Sequence, residues 1–543
     1  MRLDQLLIGS DKDSPTHRFK NLKNVSVDFD QNHWVTVIIG WNGTGKSNVL
    51  EALAIIFREL IWRRPPRIDF AFNLKYRIGS GESQRQIEID HDPDRKGSFQ
   101  IYINTTLPSS PASKKKVSLK SFLTDDKNLP RYVFSYYSGE SPRMYDIFSP
   151  YLKWYDDQLR AMKDPGPKRL FYSLPIHSQF VLLAFLTYQT EEVISFLKDH
   201  LGLDPADGLE SVLFVLRQPP WSSVDGDPRF WNAKGLVSEF LSRLQDISVA
   251  PVEISRSVPV SLWNNKTLQF KYLYIKDMDA LYRLVGSQSP SEFFRDLEST
   301  YVSQLIDQVR IRVKLKKNDG TVTFRELSEG EQQLLTVLGL MRFTAESESL
   351  FLLDEPDTHL NPRWSVDYLK YLEAFIGRSE DGEESSHVVM TTHNPLAVAE
   401  LLRDQVQILS RNKDTQSITA QAPELNPRGM GYAGVITSEL FGLDAAVDSH
   451  TLALLDEKRQ LSSMESLDAP DRERLNTLNK ELLSYGFRFE MRDPVYTEYL
   501  KARYAESEKT ESTGMAHRDR ESEMMRAKQL VEDALRSIED EES

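Results

Sequence analysis

Apolar and polar positions alternate along residues 19–40, FKNLKNVSVDFDQNHWVTVIIG, and then merge into a nearly unbroken apolar run. The alternation predicts a strand with one solvated face, and the run at its end predicts a strand covered on both faces, as in a parallel sheet. Directly downstream the period changes. Leu50, Leu53, Phe57 and Leu60 recur three and four residues apart, so a helix follows the buried strand across a glycine-rich turn. The stretch YRIGSGESQRQIEIDHDPDRKGSFQIYIN reads as a hairpin turning at residues 92–97, and with the first strand it makes an antiparallel edge to the same lobe.

Between about residues 150 and 300 the reading is helical, in YSLPIHSQFVLLAFLTYQTEEVISFLKDHL and in LESVLFVLRQ, interrupted by the turn-rich RQPPWSSVDGDPRFW. FVLLAFL, from Phe180, is too short to cross a bilayer and reads as a core helix. The heptad pattern of a long coiled-coil arm is not sustained here. Trp221, Phe230 and Trp231 read as core or hinge packing rather than as a platform for stacking bases. Alternation returns in VRIRVKLKKNDGTVTFREL, where Asn318, Asp319 and Gly320 make the turn of a hairpin. The last hundred residues are polar and helix-prone, which fits a surface helix or a segment that orders on docking.

Composition narrows this outline. The 543 residues carry a net charge of −14, with 67 basic and 81 acidic side chains, and contain no cysteine. That balance argues against a surface basic throughout, as a dedicated nucleic-acid binder has, while leaving room for a local basic groove. SKKKVSLK, from Ser113, is a compact basic cluster, read as a solvated loop. Disulfides and thiolate metal sites are excluded. Neither a basic head with an apolar stretch nor a membrane-length apolar run is found, so the expected location is the cytoplasm, without a membrane partner.

Three strand ends carry candidate chemistry. GWNGTGKS satisfies G-x-x-x-x-G-K-[ST] through Gly40, Gly45, Lys46 and Ser47, with the required strand before and helix after it. Backbone N–H groups of such a turn converge on phosphates. Asn42, Gly43, Gly45, Lys46, Ser47 and Asn48 are therefore candidate contacts to ATP, with Lys46 on the β and γ phosphates and the Ser47 hydroxyl on Mg2+. SLFLLDEPDTHL predicts a second strand that delivers Asp354 and Glu355 at its end. Adjacent carboxylates repel unless a cation or a proton transfer uses them, which makes Asp354 the candidate Mg2+ ligand and Glu355 the candidate general base. HVVMTTHNP predicts a third strand, ending at His393, a candidate hydrogen-bonding switch. Finally, LSEGEQQLLTVLGLMRF starts a helix capped by Ser328 with Glu331 as capping-box partner, and buries Leu334, Leu335, Leu338 and Met341. Ser328 and the Gly330 N–H form a second anion-binding helix start.

The order of these motifs resembles the ABC-type ATPase head, an α/β P-loop NTPase fold with an antiparallel β lobe and a mixed or parallel core sheet, as in heads of the SMC, Rad50, RecF and OLD kind. The resemblance covers roughly residues 1–140 and 300–415. It implies a head-to-tail homodimer or higher oligomer with ATP at the interface. Ser328, Gly330 and Glu331 would then meet the nucleotide of another copy, and residues 357–361 would cross the interface. The family usually carries a Mg2+-contacting glutamine at a first-lobe strand end; YVFSYYSGES, residues 132–141, occupies that region without one.

Ser47 and Ser328 stand 281 positions apart, which disfavours a transporter subunit, and the missing coiled coil disfavours SMC and Rad50. The compact insert, DEPDTHLNP, TTHNP and GMGYAGVITSELFGL most resemble the Septu-type PtuA ATPases of anti-phage defence and their retron-associated relatives. OLD-type nucleases add an Asp-x-Asp metal site after the head; Asp28/Asp30 and Asp90/Asp92/Asp94 lie before it and read as turn or solvated-edge residues. The expectation is a chain without its own nuclease that gates a separate effector. The resemblance suggests an HNH-type nuclease, with a reverse transcriptase and its RNA–DNA product as further partners and nucleic acid met through the assembly. A RecF-like DNA-repair ATPase and a nucleotide-bound scaffold are the alternatives. The expected parts are residues 1–145 and 301–415 for the two halves of the head, 146–300 for a helical insert and 416–543 for a helical, partner-docking extension.

Overall fold

The apolar run at residues 35–39 is buried because it lies in the middle of a seven-stranded sheet. In the computed structural model, strands follow the order Ile418–Gln421, Val406–Arg411, Val35–Gly40, His387–Thr391, Leu350–Asp354, Val133–Tyr137 and Leu170–Tyr172. All neighbours are parallel except the first pair. Strands buried on both faces need no polar alternation, hence VTVII, LFLL and HVVM. The structure describes residues 1–487 apart from 63, 106–114, 164–167, 206–207, 222, 260–263, 315–320, 345–347, 377–385, 413, 444 and 465–467. The expected turn at Asn318, Asp319 and Gly320 and the expected helix at the end of the tail lie outside the described residues.

Two antiparallel sheets complete the unit Met1–Gly442. Six strands run Val25–Asp28, Arg2–Ile8, Phe72–Ile78, Arg85–His91, Phe99–Thr105 and Lys115–Val117. The hairpin anticipated around residues 92–97 is present, Arg85 pairing with Thr105 and His91 with Phe99. Lys115 and Lys116 are exposed on the edge strand, where a solvated ammonium discourages pairing with another chain. The helix Lys46–Trp62 packs with this lobe in one apolar core that holds Leu53, Phe57, Leu60, Leu74, Tyr76 and Ile89.

The insert differs from the helical expectation. LESVLFVLRQ is a strand, Leu209–Arg217, at the centre of a five-stranded antiparallel sheet ordered Val249–Pro259, Asn265–Ile275, Leu209–Arg217, Ile306–Lys314 and Thr321–Thr323. Helices Arg143–Arg160, His177–Thr187, Glu191–Asp199, Gly235–Ile247, Met278–Val285 and Pro290–Val302 precede or fall between its strands along the chain, the last three packing on it. His177–Thr187 carries FVLLAFL and is buried all round, as a core helix requires. Phe230 is fully buried, while Trp221 donates Nε1–H to the Ser303 carbonyl at 2.8 Å and Trp231 to Gln269 Oε1 at 3.2 Å.

The unit that holds the central sheet runs past residue 415. Ile418–Gln421 closes an edge of the central sheet, and Gly431–Thr437 belongs to the same unit. The second unit begins at Leu443. Within it, Ser449–Ser462 and Ala469–Ser484 form a helix pair around Leu454, Leu461, Leu478 and Leu482, each helix capped by an aspartate, Asp448 and Asp468. Arg474 donates to both carboxylate oxygens of Glu457 at 2.6 Å. Among the described residues no helix is long and apolar enough to cross a membrane.

Candidate nucleotide site

The central sheet brings three strand ends together from distant parts of the chain. Val35–Gly40 leads into the phosphate-loop sequence, and Lys46 opens the next helix. The strand of the acid pair is not its neighbour; His387–Thr391 lies between them. Gly45 takes φ +98°, and a Cβ there would stand 2.7 Å from Leu22 Cδ2, so both backbone and space require glycine. Two residues the sequence reading missed grip this loop: Asn21 Nδ2 and Arg411 Nη2 donate to the Gly43 carbonyl at 2.9 and 2.7 Å. Trp41, Asn42 and Gly43 face solvent.

Lys46 is nearly buried and donates to the Gly40 carbonyl at 2.9 Å. Burial lowers its pKa, while Glu355 and Asp354 oppose the shift. Ser47 Oγ donates to Asp354 Oδ1 at 3.0 Å across 307 positions of sequence. This pairing of a helix-start hydroxyl with a carboxylate is a hard-oxygen donor set that suits Mg2+, which takes one or two protein oxygens and keeps phosphate and water for the rest.

The adjacent acids avoid each other by turning apart. Asp354 faces Ser47 and Thr391, whose Oγ1 donates to Oδ1 at 2.5 Å. Its pKa is raised by burial, against the hydrogen bonds from Thr391 and Ser47 and the charge of Arg143. Glu355 has φ +52°, and its Oε1 lies 3.1 Å from His393 Nε2. That contact holds the Glu355 carboxyl below its ordinary range. A carboxylate kept ionised beside an imidazole can accept a proton.

Arg143 was not anticipated. It follows the strand that lacks the expected glutamine, and its Nη2 donates to Asp354 Oδ2 at 3.3 Å while the guanidinium lies 4.7 Å from the centre of the Tyr137 ring. Asp357 was placed at an interface by resemblance, yet it is buried and accepts from Thr392 Oγ1 at 2.7 Å. Desolvation raises its pKa to about 6. Asn361 caps the helix Pro362–Phe375, leaving Thr358 and His359 exposed.

The capping box expected at the start of the helix Glu329–Thr344 forms in full. Ser328 N and Oγ donate to Glu331 Oε2 at 2.7 and 2.9 Å, and Glu331 N donates to Ser328 Oγ at 3.2 Å. Leu334, Leu335, Leu338 and Met341 are buried as the spacing required. Ser328 and Glu329 are exposed. Gly330 has a packing role besides any ligand role, since a Cβ there would lie 2.5 Å from the His359 carbonyl oxygen.

Two family descriptions match the chain: "AAA ATPase domain" over residues 18–135, and "AAA domain, putative AbiEii toxin, Type IV TA system" over residues 229–399. Septu protein PtuA of Bacillus mycoides (strain KBAB4) is 26% identical over 201 residues, 35% of this chain and 27% of PtuA. The Retron Vc95 probable ATPase of Vibrio cholerae serotype O1 biovar El Tor is 26% identical over 147 residues, 24% of this chain and 27% of that protein. The similarity thus spans about a quarter of each relative's length. The chain is an AAA-type ATPase related to these two proteins.

Proposed function

We propose that this relative of Septu PtuA and the retron ATPase binds and hydrolyses ATP between two copies of itself, and uses that cycle to gate a separate effector nuclease in anti-phage defence. The observation that carries the reading is the union of Ser47, Asp354, Glu355 and His393 at neighbouring strand ends, with Ser328 exposed on its own helix start. On this reading the head is of the ABC type, and the start of a second copy's helix Glu329–Thr344 meets the exposed face of the phosphate loop.

Lys46 leaves the Gly40 carbonyl to pair with phosphate oxygens, and the N–H groups of residues 43–48 hold the same anion at the helix start. Bound Mg2+, held by Ser47 and Asp354, would supply charge neutralisation on the phosphates. Glu355 takes the proton of the attacking water, and His393 orients the Glu355 carboxylate through their 3.1 Å contact. The second copy's Ser328 hydroxyl and Gly330 N–H stabilise the charge that develops on the terminal phosphate. The effector is a nuclease by analogy with the systems that the relatives' names denote.

The test is the solution mass of the full chain with ATP and Mg2+, comparing wild type with Glu355→Gln and Lys46→Ala, alone and co-expressed with the product of the neighbouring gene. The expected result is an assembly of at least two copies that Glu355→Gln stabilises, Lys46→Ala prevents and a nuclease joins. A monomer indifferent to nucleotide in all three proteins overturns the reading.

A further inference from the structure

The hairpin turn that read as solvated acids closes on a buried histidine. His17 sits on a single turn, Pro15–His17, with its side chain 2% exposed. Its Nε2 is buried and makes no hydrogen bond among the described residues, yet it lies 3.4 Å from Asp92 Oδ1 and 3.2 Å from Asp94 Oδ2. One ligand atom from each of the three residues falls within 4.8 Å of the others.

Those separations discriminate between two accounts of the cluster. A charge-assisted N–H···O bond from a protonated imidazole is expected at about 2.7–2.9 Å. Ligands held about 2.1 Å from a tetrahedral ion stand about 3.4 Å apart instead. The spacing is that of atoms around a shared cation. Charge points the same way, because two carboxylates face one ammonium, Lys12 Nζ at 2.8 Å from Asp92 Oδ2, and Lys12 is mostly exposed. The supporting groups are those that orient metal ligands. His17 Nδ1 lies 2.7 Å from Ser10 Oγ, Asp94 Oδ2 accepts from Thr16 Oγ1 at 2.8 Å and Ser14 Oγ at 3.3 Å, and Asp92 Oδ1 accepts from Asp94 N at 3.0 Å.

We propose that His17, Asp92 and Asp94 form a divalent transition-metal site, separate from the nucleotide site, that cross-links residues 10–17 to the turn of the hairpin at 92–97. One imidazole nitrogen with two carboxylate oxygens suits Zn2+ or Mn2+ better than Mg2+ or Ca2+, which favour oxygen alone. The cross-link reaches the phosphate loop along the chain, since Asn21, four residues beyond His17, donates to the Gly43 carbonyl. The site stands on its own geometry and does not depend on the nucleotide reading.

Untagged full-length protein, stripped with chelator, freed of nucleotide and titrated calorimetrically with Zn2+, tests this. One equivalent is expected to bind. Asp94→Asn, at a half-exposed position that tolerates the change, is expected to weaken binding at least tenfold, His17→Ala to abolish it, Lys12→Met to tighten it and Asp354→Asn to leave it unchanged. Co2+ is expected to give a visible absorption band in the wild type that Asp94→Asn loses. Absence of saturable Zn2+ binding, or binding indifferent to both Asp94→Asn and His17→Ala, overturns the proposal.

Discussion

Replacing Asp357 with asparagine isolates the energetic consequence of burying an acid beside the adjacent carboxyls of Asp354 and Glu355. Desolvation lifts the Asp357 pKa from an ordinary 3.8 to about 6, partly offset by the hydroxyl of Thr392, with Glu355 adding to the rise and His393 opposing it. The folded state therefore holds a proton that the unfolded chain releases between about pH 4 and 6. Stability from this group is complete below pH 4 and is lost as pH rises through 6. A shift of about two units corresponds to roughly 3 kcal/mol. Asparagine resembles the protonated acid and still accepts from Thr392, so Asp357→Asn removes this loss. Relative to wild type, the variant gains about 3 kcal/mol between pH 4 and pH 7.5. For the 442-residue unit, an unfolding entropy of about 2.1 cal/mol/K per residue turns that gain into about 3 °C in the difference between the two melting temperatures. Scanning calorimetry of both proteins across the pH range reads it directly. Parallel profiles, or a variant that loses ground as pH rises, would refute the reasoning.

Other perturbations reach different parts of the argument. Lys168 and Glu298 form an ion pair in which both side chains are buried; Glu298→Gln is expected to cost about 3–5 kcal/mol in denaturant titration, much of it recovered by Lys168→Met with Glu298→Leu. Arg143→Met removes a partly exposed cation from Asp354. A contact of this kind is worth about 0.5–1 kcal/mol, so the Mg2+ concentration for half-maximal hydrolysis should fall about two- to fivefold in a rate titration. His393→Ala releases Glu355 toward its ordinary pKa, and turnover should drop about tenfold or more while ATP affinity, measured by calorimetry, stays within twofold. Gly330→Ala forces a methyl onto the His359 carbonyl and should lower the melting temperature even without nucleotide, which a purely ligand-binding glycine would not do.

Where structure is local, the pattern of the chain was enough to place it: the strand Val35–Gly40, a glycine turn and the helix Lys46–Trp62 follow one another through VTVIIGWNGTGKS as read. The helix Glu329–Thr344 likewise declares itself, because Ser328 and Glu331 cap one another across a single turn. The misreading of LESVLFVLRQ has an equally physical origin. Leu209, Val212, Leu213 and Leu216 fall at helical spacing, but the strand lies between Asn265–Ile275 and Ile306–Lys314. Burial on both faces, as at Phe214, Val215 and Leu216, erases the alternation that would have marked it as a strand. The edge strand Val249–Pro259, paired with Asn265–Ile275, is exposed along nearly its whole length, so it too offers no two-residue period to detect.

The contacts that remained hidden all depend on closure over long distances. Arg143 meets Asp354 across 211 positions, and no motif marks an arginine after a strand as the neighbour of an acid. His17 meets Asp92 and Asp94 only because residues 9 and 71 and residues 16 and 71 are tied by backbone hydrogen bonds, Gly9 N to the Ala71 carbonyl at 2.8 Å and Ala71 N to the Thr16 carbonyl at 2.7 Å. Those bonds bring the start of the chain to the turn end of the hairpin, where Phe72 pairs with His91. Acids in a turn are ordinarily explained by the turn itself, which their side chains stabilise without any partner. What changes the account is the buried imidazole nitrogen facing them, a cost that folding would not meet without some compensating charge. The same reasoning separates two of the acid pairs. Asp354 and Glu355, adjacent in sequence, are turned to different partners, whereas Asp92 and Asp94, one residue apart in the turn, converge on a single atom.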